Sequence, residues 1–242
     1  MKIVAKTDIG LQRESNQDSY AAGELPGAVA WAVVCDGMGG AAGGNYASST
    51  AVKVISERIT SSYRTGMSAS SIRNMLTSAI AAANISVYDM SKADPELTGM
   101  GTTVVVAIVV DNNVFIAHAG DSRAYILSDG SLNQLTKDHS IVQEMIDHGT
   151  LTPDEAKVDP RKNIITRALG VDSELRIDFD IADISEKDVL ILCTDGLTNF
   201  VEPQEIYELT DDGKFYEYAE RLVDRANSNG GGDNITVVTM SY

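Results

Sequence analysis

Apolar runs that stop at an acid punctuate this chain. AWAVVCDG, FIAHAGD and DVLILCTDG each read as a strand ending at Asp36, Asp121 or Asp195, and DNITVVTM reads as one starting just after Asp233. The first strands are predicted over 2–6 and 29–35. The period then lengthens to that of helices over about 44–63 and 69–92; in the second, Ile72, Leu76, Ala79, Ile80, Ala83, Val87 and Met90 form one stripe. Three consecutive strands follow over about 102–110, 113–119 and 123–128, joined by short turns; Asp111-Asn112-Asn113 after the first and Asp129-Gly130 after the third are hairpin signals. LRIDFDI over 175–181 alternates as a half-buried strand should, whereas AWAVV, TTVVVAIVV and VLILC are apolar on both faces and need cover on both sides. Shorter helices are predicted near 203–210 and 214–228. Together these elements imply an α+β fold: a four-layer α-β-β-α sandwich of two mainly antiparallel sheets flanked by helix pairs. The polar, irregular stretch 138–170 reads as an inserted flap. No linker, repeat or compositional break divides the chain, so a single domain is expected over 1–242.

Composition narrows the function classes. The 242 residues carry 19 Lys and Arg against 35 Asp and Glu, a formal net charge of −16. Such a field repels phosphate backbones and anionic lipid, which argues against nucleic acid or a membrane as partner. The longest apolar stretch, Thr102 to Val110, is far below the roughly 20 residues a bilayer demands. The amino terminus, MKIVAKTDIG, lacks the apolar region of a signal peptide, and the cytoplasm is the expected location. Cys35 and Cys193 both sit inside apolar runs and read as buried free thiols. GMGGAAGG lacks the Lys-Ser/Thr ending of a nucleotide-binding loop, no serine stands in a nucleophile elbow, and two cysteines cannot build a zinc knuckle.

One Asp-Gly pair is turn chemistry. Four acids beside glycines at the ends of central strands have another consequence: if the strands lie side by side, the carboxylates converge on one rim. Their mutual repulsion then calls for neutralising divalent cations.

Six motifs carry a resemblance: TDIGLQRESNQD at 7–18, VVCDGMGG at 33–40, GMGTTVVVAIV at 99–109, AHAGDSRAY at 117–125, LCTDG at 192–196 and GGDNITVV at 231–238. In this order they resemble the metal-dependent protein phosphatases, the protein phosphatase 2C-like serine/threonine phosphatases in their compact bacterial form. The resemblance implies two catalytic Mn²⁺ or Mg²⁺ ions bridged by Asp36. Asp195 and Asp233 complete the first, and the Gly37 carbonyl serves the second. Asp121 would serve a third, weaker ion with Asp195 shared. It also implies that Arg13 grips the phosphate, that Asp18, supported by Asn16 and Gln17, orients the water, and that an acidified water attacks phosphorus without a covalent intermediate. The expected substrates are phosphoserine and phosphothreonine proteins, including a cognate serine/threonine kinase, whose signalling a monomeric enzyme reverses. Taken by themselves, Arg13 is also a surface arginine, Asp18 a local amide cap and Asn234 turn chemistry.

Two departures motivate an alternative, a catalytically weak metal-binding regulatory domain of the same fold. Gln17 stands where many relatives have Glu. Met38 stands where some have a histidine acid, with Ala41 and Ala42 after the Gly39-Gly40 pair. Without that histidine, leaving-group protonation, worth about 10²–10⁴ in rate, falls to a water or another group. Three histidines remain as candidates: His118 reads as a core side chain, His139 begins the flap, and His148 ends a helix.

Overall fold

The computed structural model describes residues 1–40 and 43–241; Ala41 and Ala42 lie outside the described residues. The amino-terminal half supplies β1 (Lys2–Asp8), β2 (Asp18–Leu25), β3 (Val29–Met38), α1 (Gly43–Ser62) and α2 (Ala69–Ala93). The middle supplies β4 (Gly101–Thr102), the hairpin of β5 (Val104–Val110) and β6 (Asn113–Ala119), and, in the other sheet, the hairpin of β7 (Arg123–Ser128) and β8 (Ser131–Gln134), followed by the short helices α3 (Ile141–Asp147) and α4 (Pro153–Val158). The remainder comprises β9 (Asp178–Asp183), β10 (Val189–Cys193), α5 (Asp195–Thr198), α6 (Pro203–Thr210), α7 (Tyr218–Ser228) and β11 (Ile235–Ser241).

Two antiparallel sheets result, ordered β1-β11-β10-β7-β8 and β2-β3-β5-β6-β9, with β4 beside β3. Period-2 alternation divides each central strand between two cores. On β3, Ala30, Ala32 and Val34 face the opposite sheet, where they meet Leu190, Leu192, Val238 and Met240. Trp31, Val33 and Cys35 point the other way, into a core shared with Ile55, Ile59, Leu76 and Ile80 of α1 and α2. On β10 the same division sends Val189, Ile191 and Cys193 toward Leu222 and Val223 of α7. The four-layer α+β sandwich expected from the two-sided apolar runs is therefore present.

Several elements differ from expectation. β2 was not anticipated, because DSYAAGEL is short of large apolar residues and interrupted by Gly23. β8 has four residues and only Leu132 to signal burial. The alternating strand is displaced to Asp178–Asp183, because Leu175 and Arg176 instead line a cavity. Both cysteines are free and buried, and burial pushes both thiols up, Cys193 to about 12, which leaves them protonated and inert. Among the described residues no helix is long and apolar enough to cross a membrane.

Candidate active site

The two sheets bring their acid-bearing strand ends to one rim. Asp18 opens β2 and lies in register with Asp36 near the end of β3. Asp121 follows β6 by two residues, Asp195 opens α5 directly after β10, and Asp233 precedes β11. With Arg13, Gly37 and Gln17, four of these acids line a cleft of about 350 Å³. Asp18 lies beneath its floor and is only 8% exposed. All seven residues singled out from the sequence are thus brought together.

Hydrogen bonds outside the expected set hold the backbone that carries them. Thr103 Oγ1 accepts from the Asp36 amide at 2.9 Å, and Thr102 Oγ1 donates to the Asp36 carbonyl at 2.7 Å. Thr103 Oγ1 also meets Ser122 Oγ at 2.7 Å, which ties the Asp121 loop to β3. Asn234 fastens the amino-terminal loop: its Oδ1 accepts from the Gln17 amide, and its Nδ2 donates to the Ile9 and Ser15 carbonyls at 2.9 and 3.0 Å. Asn234 therefore holds the loop bearing Arg13 against β11. Two glycines allow the close packing underneath. A Cβ on Gly37 would overlap the Gly44 carbonyl, and one on Gly196 would overlap the Asn234 carbonyl. Thr103, Ser122 and Thr194 carry no sequence signal of their own, because a threonine or serine at a strand end is unremarkable until its partner is known.

The acids crowd one another. Asp36 and Asp195 lie close enough to perturb each other's ionisation. Burial, then the charges of Asp18, Asp195 and Asp121, raise Asp36 well above the usual carboxylate range. Burial and the Asp195 charge raise Asp121 to about 8. Burial chiefly raises Asp18 to about 7, opposed by hydrogen bonds from Thr236 and Thr194; the Thr194 hydroxyl donates to Asp18 Oδ2 at 2.9 Å. Asn199 Nδ2 donates to Asp195 Oδ2 at 2.8 Å. Arg13 Nη2 donates to Asp233 Oδ2 at 2.7 Å, placing the guanidinium at the mouth of the cleft.

These residues fit divalent cations. Every carboxylate and carbonyl donor of the cleft is an oxygen, as hard ions prefer. Asp18 Oδ1 and Asp195 Oδ1 are buried without a hydrogen-bond partner among the described residues, an expense that a cation or its water would remove. Among the described residues no three His, Cys, Asp or Glu side chains already form a closed metal cage. Asp233 is instead engaged by Arg13, a contact that a cation would have to replace.

The histidines are excluded as the missing acid. His139 Nδ1 accepts from the Gly120 amide at 3.1 Å, while Nε2 lies 3.1 Å from Asp178 Oδ2. Burial lowers its pKa, so the ring is neutral and structural. His118 stacks on it with centroids 4.7 Å apart and donates or accepts through Nε2 at the Lys137 carbonyl. His148 is engaged by the Glu144 carbonyl. Gln17 Nε2 donates to the Gly40 carbonyl at 3.0 Å, so its side chain faces the glycine loop.

Fold and cleft together define a metal-dependent phosphatase. The sequence matches Protein phosphatase 2C over residues 12–236, and the chain belongs to that family. It is 38% identical over 236 residues to the serine/threonine phosphatase stp of Listeria monocytogenes, covering 97% of this chain and 93% of that protein. The S. agalactiae serine/threonine phosphatase superposes with a TM-score of 0.92 at 35% identity, covering 98% of both chains. The catalytic domain of the serine threonine protein phosphatase PstP, solved with 2 manganese ions, superposes at 0.87 with 34% identity, covering 98% of this chain and 96% of that one. The activity is accordingly that of a serine/threonine phosphatase acting on phosphoproteins, and nothing in these likenesses favours the silent regulatory domain.

Proposed function

We propose that this enzyme works in the cytoplasm as a monomer with two Mn²⁺ or Mg²⁺ ions and reverses the action of serine/threonine kinases, a cognate kinase included. The convergence of Asp36, Asp121, Asp195 and Asp233 on one cleft carries this reading. Asp36 would bridge the two ions, with Asp195 and Asp233 on the first and the Gly37 carbonyl on the second; Asp121 would hold a third, weaker ion with Asp195. The bound cations would supply charge neutralisation and an acidified water positioned for in-line attack on phosphorus.

The protein's own groups do the rest. Arg13, at the mouth, offers a planar fork to two phosphoryl oxygens in exchange for its contact with Asp233. Asp18, paired across the strands with Asp36 and with Oδ1 unpartnered, would orient the water. Met38 has no proton to give, so protonation of the leaving serine or threonine oxygen falls to a water or another group. Asn163 and Ile165, at the edge of the cleft, support reading 138–170 as a flap of one phosphatase domain spanning 1–242.

The test is hydrolysis of a phosphothreonine peptide by metal-stripped protein with Mn²⁺ or Mg²⁺ restored, beside Asp36→Ala and Asp233→Ala. Metal-dependent release abolished by both changes is expected. Release that survives either change would remove these ligand assignments.

A further inference from the structure

A second cavity, of about 420 Å³, adjoins the acidic cleft, and Met38, Asn163 and Ile165 line both. That volume falls within the range of roughly 300–1,000 Å³ typical of ligand pockets. Met38 forms the common wall on the sheet side. Its Cε and the Val171 Cγ2 lie over Gly101, 2.7 and 3.1 Å from where a Cβ would stand, so the absence of a side chain there lets the thioether lie flat. Ile164 and Val171, 46% and 48% exposed, line the cavity and present apolar surface to solvent, with half-buried Leu175 beside them.

The chemistry of this surface excludes a second anion. Of the cationic side chains lining it, Arg167 meets Asp178 at 2.9 Å and Arg176 meets the same carboxylate at 3.6 Å, while Asp172 and Glu174 add negative charge. The wall is also fixed before anything binds. Buried Asn84 of α2 accepts from the Gly170 amide at 2.8 Å and donates to the Asp172 and Ser173 carbonyls at 2.9 and 3.2 Å. A preformed wall spares the ordering cost that a mobile loop would impose on binding. On the other side of Asn163 a cavity of about 410 Å³ is mixed, with Lys157, Lys162, Asp138 and Glu202 beside Val142, Ile146 and Ala156. The flank beside Met38 is the more apolar of the two.

We propose that the cavity walled by Met38, Ile164, Val171 and Leu175 is a subsite that receives a large apolar side chain of the phosphoprotein substrate, close in sequence to the phosphorylated residue. The inference rests on the acidic cleft being the seat of the phosphoryl group. Because the two spaces share walls, the side chain comes from within about three residues of the phosphoresidue, roughly 10 Å of extended chain. Met38 thereby acquires a role in specificity at a position where it cannot serve as an acid.

The experiment moves one leucine through the three positions on either side of phosphothreonine in an otherwise serine-rich peptide, using the Mn²⁺-loaded full chain. The readout is kcat/KM relative to the all-serine peptide. A preference of about tenfold or more is expected at one or more positions on one flank only. In the double variant Ile164→Ser and Val171→Ser, with folding verified by its thermal transition, the ratio falls toward unity. A flat leucine profile in the wild type overturns the subsite by itself, whether or not the variant folds, and so does a preference that the folded double variant keeps. Hydrolysis of p-nitrophenyl phosphate separates the two levels: turnover with a flat profile removes only the subsite, whereas no turnover of any substrate removes the phosphoryl seat as well.

Discussion

The carboxyl of Asp18 makes the metal-free protein sensitive to pH in a direction opposite to that of an ordinary paired acid. Burial raises it from the usual 3.8 to about 7. A folded state with a raised acid pKa keeps a proton that the unfolded chain releases, so stability is full below about pH 4 and falls as pH rises through the folded value. At about 1.4 kcal/mol per pH unit for one proton, Asp18 alone withdraws roughly 3 kcal/mol between pH 5 and pH 8. For a chain of 242 residues that corresponds to a fall of roughly 6–12 °C in Tm. Asp18→Asn removes the titration while leaving an oxygen to accept the Thr194 hydroxyl. The assay is thermal unfolding of wild type and variant, both metal-free, at intervals from pH 5 to pH 8. The variant should lose less stability than the wild type as pH rises, with the difference opening mainly between pH 5 and 7. Some slope remains in both, because Asp36 and Asp121 are raised by the same crowding. Parallel curves would refute the reasoning, since Asp18 would then ionise in the folded protein as freely as in the unfolded chain.

Stripping the cations should lower Tm, and by more at pH 8 than at pH 5.5, because the acids repel most when ionised; calorimetry showing no change at either pH would mean that these aspartates do not share cations. Asn84→Ala should destabilise by roughly 2–4 kcal/mol in urea unfolding, since it leaves the buried Gly170 amide without its acceptor and frees the Asp172 and Ser173 carbonyls, and a loss under about 0.5 kcal/mol would contradict the clamp. With a net charge of −16, the enzyme should favour phosphopeptides with basic flanks at low salt and lose that preference as salt rises; equal rates on acidic and basic flanks at low salt would remove it.

The legibility of this fold followed the contrast of its residues. β3, β5 and β10 could be read because runs such as VVVAIVV are apolar on both faces, a pattern that leaves a strand no place except between two layers. β2 could not, because its burial is supplied by neighbours rather than by its own Ala21, Ala22 and Gly23. The acids at the rim were legible for a related reason: a carboxylate ending a buried strand is costly in the absence of a partner, so its presence reports one. Side chains that merely position those acids gave no such signal. The bond from Thr194 to Asp18 spans 176 positions, and the hold of Asn234 on Ser15 spans 219, so neither leaves a local trace. His139 shows the converse. Its position at the start of the flap suggested chemistry, yet a stacked neighbour and the Gly120 amide commit it to structure.

β1 and β11 lie side by side, with Lys2 opposite Ser241 and Asp8 opposite Ile235. One leads into the loop of Arg13 and the other follows Asp233, so the catalytic cleft is closed by two strands separated by more than 200 residues. During synthesis, every earlier element can exist while β1 still has no partner and the cleft lacks one of its acids. Pairings of such long sequence separation form late and slowly. A ribosome that stalls before β11, or a protease that removes that strand, therefore leaves a fragment without phosphatase activity rather than one with altered selectivity. The cell is spared a partly built enzyme acting on its phosphoproteins, because catalysis waits for β11 to pair with β1.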